Sequence, residues 1–125
     1  GQVSFHGYLS DEDLNNFYQD ADLFVVPSLY ESFGLIYAEA LMYGLPCIAT
    51  DGGGITEVVS DGIDGILLKE KTIEELAAAV DMLYADRGKV KEMAMSARTS
   101  FEKLYHHHLM VEKSLDSYKQ LVAKA

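Results

Sequence analysis

The sequence is poor in cysteine, in positive charge and in long apolar runs, and each shortage excludes a class of protein. Cys47 is its one cysteine, so no internal disulfide can form, and we expect a buried thiol of the kind found in reducing cytoplasm. Lys and Arg number 10 against 20 Asp and Glu, a net charge of −10 that disfavours nucleic acid and anionic membranes as partners. No apolar run reaches the length of a membrane span, and the first residues do not resemble a signal peptide.

What is present indicates one packed globular domain. Of the 125 residues, 49% are apolar and 24% are charged, a balance typical of a chain with a hydrophobic core. The length allows one domain but not two ordinary ones. Because strand-like residues already stand at 3–5, we expect 1–125 to be a single, partial domain of a longer protein. Residues 1–68 alternate between strand and helix patterns, and 69–125 are helical in pattern.

Short apolar runs predict buried strands, and amphipathic segments between them predict helices. The predicted strands are 3–5, 23–26, 46–49 and 66–68. The predicted helices are 11–20, 33–43, 55–60, 73–84, 89–101 and 107–123. This order predicts an α/β, Rossmann-like parallel sheet of four strands with a helical C-terminal tail, or a dimer paired through an exposed edge strand. The predicted core comprises Phe24, Val26, Leu41, Ile48, Ala49, Leu67 and Leu76.

Two loops follow predicted strands and run into helices, at 27–34 and 50–56. In open α/β sheets, ligands bind at the carboxyl ends of the strands, where helix N-termini present unpaired N–H groups. The second loop contains three successive glycines, which allow close approach to a ligand but are equally typical of a tight turn that binds nothing. Taken alone, Glu31 is compatible with a solvated loop carboxylate and Glu39 with an exposed helix residue.

The order of the motifs is more specific than any one of them. The segment ESFGLIYAE, residues 31–39, holds two glutamates separated by seven residues. It follows DLFVVPS at 22–28 and precedes ALMYGLP, DGGG and EVVSDG within 40–62. This string resembles the C-terminal, donor-binding domain of GT-B-fold retaining glycosyltransferases of the family-four, or group 1, type. The resemblance runs from about residue 3 to residue 68.

The resemblance implies a nucleotide-sugar donor, linked to UDP, GDP or ADP, and a role for each matching residue. Glu31 matches a catalytic-site glutamate that bonds the donor sugar, and Glu39 matches one that accepts from the ribose hydroxyls. Vicinal hydroxyls suit a carboxylate, and a helix N-terminus suits a departing diphosphate. The remaining predicted substrate-binding residues are Ser32, Phe33, Gly34, Leu35, Gly52 and Gly53. Nothing in the sequence requires a cofactor or a metal ion.

Some features of the family are expected upstream of this sequence. They are the basic residues that neutralise the diphosphate and the N-terminal domain that binds a sugar or lipid-linked acceptor. A second function therefore stays open, a non-catalytic α/β nucleotide-binding module or an inactive half-domain. A third, a glycoside hydrolase that uses both glutamates as acid and base, is weaker, because Glu39 sits more than a turn into its predicted helix and only Glu31 lies in the loop. Three adjacent histidines, 106–108, are interpreted as a solvated helix start whose rings point apart. His6 follows the first predicted strand and could face the ligand edge, a minor element of the prediction.

Overall fold

The structure, a computed structural model that describes residues 3–123, is a three-stranded parallel sheet with helices packed on both faces. The strands lie in the order β1 (Phe24–Val26), β2 (Cys47–Thr50) and β3 (Gly65–Leu68), so β2 is central. The helices are α1 (Asp11–Asp20), α2 (Leu35–Met42), α3 (Ile55–Val58), α4 (Ile73–Ala85), α5 (Arg87–Leu104) and α6 (His107–Ala123). None of the described helices is both long enough and apolar enough to cross a membrane.

Side-chain caps define where three of the helices begin. The side chains of Ser10, Thr72 and Asp86 accept hydrogen bonds from N–H groups in the first turns of α1, α4 and α5. Glu75 occupies the capping-box position of α4, but its carboxylate accepts from the N–H groups of three residues before the cap, 69–71, at 2.8–2.9 Å. The C-terminal end of α2 depends on a glycine. Gly44, two residues after the helix, has a φ of +73° and stops it from continuing.

The core lies on both sides of β2. Cys47 and Ala49 pack with residues of α2 and α3, whereas Ile48 packs with residues of α4 and α5 on the opposite face. This alternation follows from the two-residue period of a strand, and it explains why a continuous apolar run predicts a strand covered on both faces. Tyr37 of α2 is fully buried, and its hydroxyl donates to the carbonyl of Val26 at 2.8 Å. This bond anchors α2 to the end of β1.

Two predictions about the sheet are wrong. Residues 3–5 are extended but form no strand, and Val3 and Phe5 are 75% and 96% exposed. The sheet therefore has three strands rather than four, because residues 3–5 have no strand beside them among the described residues. His6, predicted near the ligand edge, packs on Phe17 of α1 at 4.5 Å and lines a cavity at the amino ends of the strands.

The predicted core is confirmed in part. Leu41, Ile48 and Ala49 are fully buried. The other four predicted core residues, Phe24, Val26, Leu67 and Leu76, are only partly buried. β1 and β3 each have one neighbouring strand in the described part of the chain, so their side chains are less covered than those of central β2.

Candidate functional site

The predicted ligand loops lie together at the carboxyl edge of the sheet. The loop after β1, residues 27–34, is joined by one hydrogen bond to the loop after β2, residues 51–54, and by another to the last residue of β2. The N–H of Gly54 donates to the carbonyl of Glu31 at 2.9 Å, and the buried hydroxyl of Thr50 donates to the carbonyl of Ser28. The two loops therefore form one continuous surface, and the backbone of Glu31 has a fixed position in it.

Glu31 is half-buried within the first loop. Its carboxylate accepts a long hydrogen bond of 3.4 Å from the hydroxyl of Ser28. A carboxylate has two oxygens that together accept several hydrogen bonds, so this contact leaves capacity for the hydroxyls of a ligand. Glu31 is thus held in place by its backbone while its side chain remains able to bind.

Glu39 lies on the exposed side of α2, just over one turn after the helix begins at Leu35. Its carboxylate accepts from the hydroxyl of Tyr18 at 3.3 Å. Partial burial, together with the charge of Glu39, raises the pKa of Tyr18 to about 12, so the phenol stays protonated and donates. Glu39 also lines a cavity of ≈ 500 Å³ between α2, α5 and α6, which Phe33 and Leu35 line as well.

The start of α2 offers backbone N–H groups between the two glutamates. Gly34 precedes the helix with a φ of +80°, and a Cβ atom on it would lie 2.6 Å from the ring of Tyr37, so only glycine fits. No side chain among residues 3–123 caps this helix. Ser32, Phe33 and Leu35 are exposed around it, and the Phe33 ring lies 6.2 Å from that of Tyr105. Uncapped N–H groups at a helix start bind anions and polar oxygens.

The glycine loop has a structural requirement of its own. A Cβ atom on Gly53 would lie 2.3 Å from the carbonyl oxygen of Glu31, and one on Gly54 would lie 2.2 Å from that of Ser32. These two glycines therefore allow the second loop to pack directly under the first. A Cβ atom on Gly52 would lie no closer than 4.0 Å to any backbone atom of the neighbouring loop. Of the three glycines, Gly52 therefore leaves the most room for a ligand.

Lys71 is a residue of this edge that the sequence analysis missed. It follows β3, and its ammonium lies 3.3 Å from the position that a Cβ atom of Gly52 would occupy. The signal was present in the sequence, because residues 69–72 also leave a strand at the carboxyl edge, as the two predicted loops do. Lys71 therefore adds a positive charge beside the glycine loop.

Side chains that could bind a metal ion lie together outside the two loops, just before and at the start of α6. Within residues 3–123, the group of side chains able to converge on an ion consists of His106, His107 and His108, and it includes neither Glu31 nor Glu39. The prediction that these rings point apart is wrong. His106 lies just before α6, outside its helical geometry, so its ring stacks against that of His108 at 5.0 Å.

Comparisons with known proteins agree on one family. The family model described as glycosyl transferases group 1 matches residues 1–100. A D-inositol 3-phosphate glycosyltransferase of Nocardia farcinica is 40% identical over 96 residues, which cover 77% of this chain and 21% of that protein. Sucrose-phosphate synthase from Thermosynechococcus elongatus superposes with a TM-score of 0.89 at 31% identity, over 99% of this chain and 31% of that one.

The same fold occurs in a structure solved with UDP-glucose. Anabaena HepE, solved in complex with UDP-glucose, superposes with a TM-score of 0.85 at 24% identity, over 95% of this chain and 32% of that one. The chain therefore spans between about a fifth and a third of the length of these relatives.

Proposed function

The chain belongs to the group 1 glycosyl transferases, and from that premise we propose that it is part of the donor-binding domain of an enzyme that transfers a sugar from a nucleotide sugar to an acceptor. One observation carries the proposal. The unit of β1, its loop and α2 holds Glu31 and Glu39 on either side of an uncapped helix start. Such a unit offers acceptors for sugar and ribose hydroxyls, with donors for phosphate oxygens between them.

In the proposed complex, Glu31 accepts hydrogen bonds from the hydroxyls of the donor sugar, and Glu39 accepts from the ribose. The N–H groups of Phe33, Gly34 and Leu35 face the sugar and the diphosphate, and they stabilise the negative charge that grows as the glycosidic bond breaks. We include Ser32, Gly52 and Gly53 in the substrate-binding set, with transfer that retains the configuration of the sugar.

Lys71 adds to this proposal because a nucleoside diphosphate is an anion and this chain has a net charge of −10. A positive charge at the ligand edge lowers the electrostatic cost of bringing such a group to an acidic protein. UDP-, GDP- and ADP-linked sugars all fit this chemistry, and HepE, which shares the fold, binds UDP-glucose. A sugar or lipid-linked acceptor would be bound by the parts of the parent enzyme outside this chain.

Family membership favours transfer over the hydrolase alternative, and the surroundings of the two glutamates agree. Glu39 is engaged by Tyr18, whose protonated hydroxyl donates to the carboxylate. The carboxylate of Glu39 thus already acts as a hydrogen-bond acceptor, which is the role that ribose recognition requires.

The test is a comparison of two alanine variants in the parent enzyme. Glu31→Ala should lower kcat at least roughly tenfold, or about 1.4 kcal/mol, with little change in KM, because the sugar contact strengthens as the bond breaks. Glu39→Ala should mainly raise the donor KM, since a ribose contact is made equally in the ground and transition states. Glu74→Ala, at an exposed position in the first turn of α4, is the control. Equal effects of all three substitutions would contradict the assigned roles.

A further inference from the structure

Three histidine side chains are gathered where α5 gives way to α6. The ring centroids of His106 and His107 lie 4.4 Å apart, those of His107 and His108 lie 4.0 Å apart, and those of His106 and His108 lie 5.0 Å apart. The turn between the helices causes this grouping. His106 stands one residue before α6, and its Nδ1 atom accepts a 3.4 Å hydrogen bond from the N–H of His108.

The spacing of the ring nitrogens suits a shared ion. One ligand nitrogen from each ring can be chosen so that all three lie within 4.8 Å of one another. Nitrogens bound to one tetrahedral zinc ion at about 2.0–2.1 Å lie roughly 3.4 Å apart, so binding requires the rings to close by about 1–1.5 Å. His107 and His108 are exposed, and their side chains can make this adjustment without disturbing the core.

Charged side chains of α5 accompany the rings. A carboxylate stands beside the cluster, with Oε2 of Glu102 lying 3.8 Å from Nε2 of His106. Its other oxygen bonds to Arg98 at 2.9 Å, which fixes the carboxylate in place. Histidine ligands are commonly oriented by such a carboxylate.

We propose that His106, His107 and His108 bind one divalent transition-metal ion of the type that prefers imidazole, such as Zn²⁺. His106 binds it through Nδ1, in place of the long hydrogen bond from the N–H of His108, while Glu102 orients the ring through Nε2. The site lies outside the donor loops and needs no contribution from them. Its ion would fix the residue before α6 to the first turn of that helix, and Glu102 of α5 would hold that residue through His106. That constraint matters because none of the α6 residues that the structure describes is buried, so little packing fixes the direction of this helix.

The experiment is a calorimetric titration of the 125-residue chain with Zn²⁺, repeated with Co²⁺ so that the absorption spectrum reports nitrogen ligands. We expect one ion per chain and a rise in the unfolding temperature with Zn²⁺ but not with Mg²⁺, which prefers oxygen ligands. His107→Ala should weaken Zn²⁺ binding by roughly tenfold or more. The matched control is His6→Ala, which removes the fourth histidine of the sequence, packed on Phe17, and should leave binding unchanged.

Two further results separate a built site from weak surface binding. Glu102→Gln keeps the shape of the side chain and removes its charge, so it should weaken Zn²⁺ binding while all three histidines remain. Circular dichroism of each variant should match that of the parent chain, because the substituted side chains lie outside the buried core. Binding of several ions with no saturation at one, or equal affinity in His107→Ala and His6→Ala, would overturn the proposal.

Discussion

Lys71 combines a backbone conformation that side chains seldom adopt with a charge placed beside the glycine loop. Its φ of +57° lies in the left-handed region. Among residues 3–123, Lys71 is the one non-glycine residue with a positive φ. The carboxylate of Glu75 accepts from the N–H groups of residues 69, 70 and 71, and these bonds hold the turn in that conformation. A left-handed conformation costs an L-residue about 1–2 kcal/mol. Glycine would avoid this strain, yet the chain has a lysine at this position.

Replacing Lys71 should therefore separate stability from binding. Lys71→Gly relieves the strain and costs roughly 0.5–1 kcal/mol in chain entropy, so we expect the free energy of unfolding in urea to rise by roughly 0.5–1 kcal/mol. Lys71→Met keeps the strain and should give no such rise. Both variants lack the ammonium, and both should bind nucleoside diphosphates more weakly. A stable Lys71→Gly variant with unchanged diphosphate affinity would remove Lys71 from the proposed site.

Cys47 shows how burial controls the chemistry of one thiol. The side chain is fully buried on β2, and its thiol donates weakly to the carbonyl of Leu45 at 3.7 Å. Burial, with a smaller contribution from the charge of Asp64, raises its pKa from 9.0 to about 12. The stability linked to this protonated thiol is full below pH 9, where the unfolded chain also keeps its proton, and is lost as the pH rises towards 12.

Labelling with a thiol reagent at pH 8 should accordingly report unfolding rather than surface reaction. The thiolate is the reactive form, and the folded chain offers almost none of it. We expect labelling to follow the opening of the fold and to accelerate in urea until it matches a free thiol. Cys47→Ala should take up no label, since the sequence has no other cysteine. Rapid labelling of the native chain would contradict the buried position of β2.

Among the elements, the turn before β3 is fastened to α5 by a carboxylate that sequence patterns did not single out. Asp64 is fully buried, and its Oδ1 accepts from the N–H of Ser60 at 2.7 Å. Its Oδ2 accepts from the hydroxyl of Ser100 on α5, also at 2.7 Å. Removing this carboxylate would leave the N–H of Ser60 and the hydroxyl of Ser100 without their partner, and buried polar groups without partners destabilise a fold.

Substitutions at this contact should therefore differ in cost. Asp64→Ala removes two hydrogen bonds to a charged group, each of about 1.5–3 kcal/mol, and we expect the free energy of unfolding to fall by roughly 3–6 kcal/mol. Asp64→Asn keeps the shape and part of the bonding, and should cost less. Urea denaturation of both variants provides the measurement. If Asp64→Ala changed stability by less than about 0.5 kcal/mol, the contact would have no structural importance.

The elements show which parts of the fold are readable from local sequence. The helices predicted to begin at 11 and 73 do begin there, after the caps Ser10 and Thr72, because capping depends on residues a few positions apart. The strand predicted at 3–5 is wrong because a strand exists only beside a partner, which no local pattern supplies. The part burial of Phe24 and Val26 has the same cause, since β1 pairs with β2 alone among the described strands.

The candidate site likewise has features that local sequence predicts and features that depend on distant contacts. The sequence predicts correctly that Glu31 lies in a loop at the sheet edge and Glu39 on a helix, because the strand, loop and helix are contiguous. It does not predict the packing of Gly53 under Glu31 or the position of Lys71, because both depend on contacts between loops that follow different strands. That Glu31 and Glu39 bind the donor stays a prediction, which the kinetic comparison of the two variants will test.

At the scale of the whole molecule, the sheet ends in an unpaired edge on the side of β1 in the part of the chain that the structure describes. A further strand could pair with β1 at this edge, and it could come from the parent protein or from a second copy of the chain. The edge-strand dimer stays a prediction. A concentration-dependent mass in solution, abolished by Val25→Pro on β1, would support it, and a monomer at all concentrations would contradict it.

The whole chain should bind nucleotide sugars weakly and transfer no sugar by itself. It spans between about a fifth and a third of the length of the relatives compared, so most of a transferase of this size lies outside it. A departing diphosphate carries growing negative charge, and backbone N–H groups with one nearby lysine offset little of it in a protein of net charge −10. The measurement is nucleotide release from UDP-, GDP- and ADP-glucose in the presence of simple sugar acceptors. We expect no release above the buffer blank, with binding visible only as chemical-shift changes near Gly34. Steady release that disappears in Glu31→Ala would show that these 125 residues hold a complete active site.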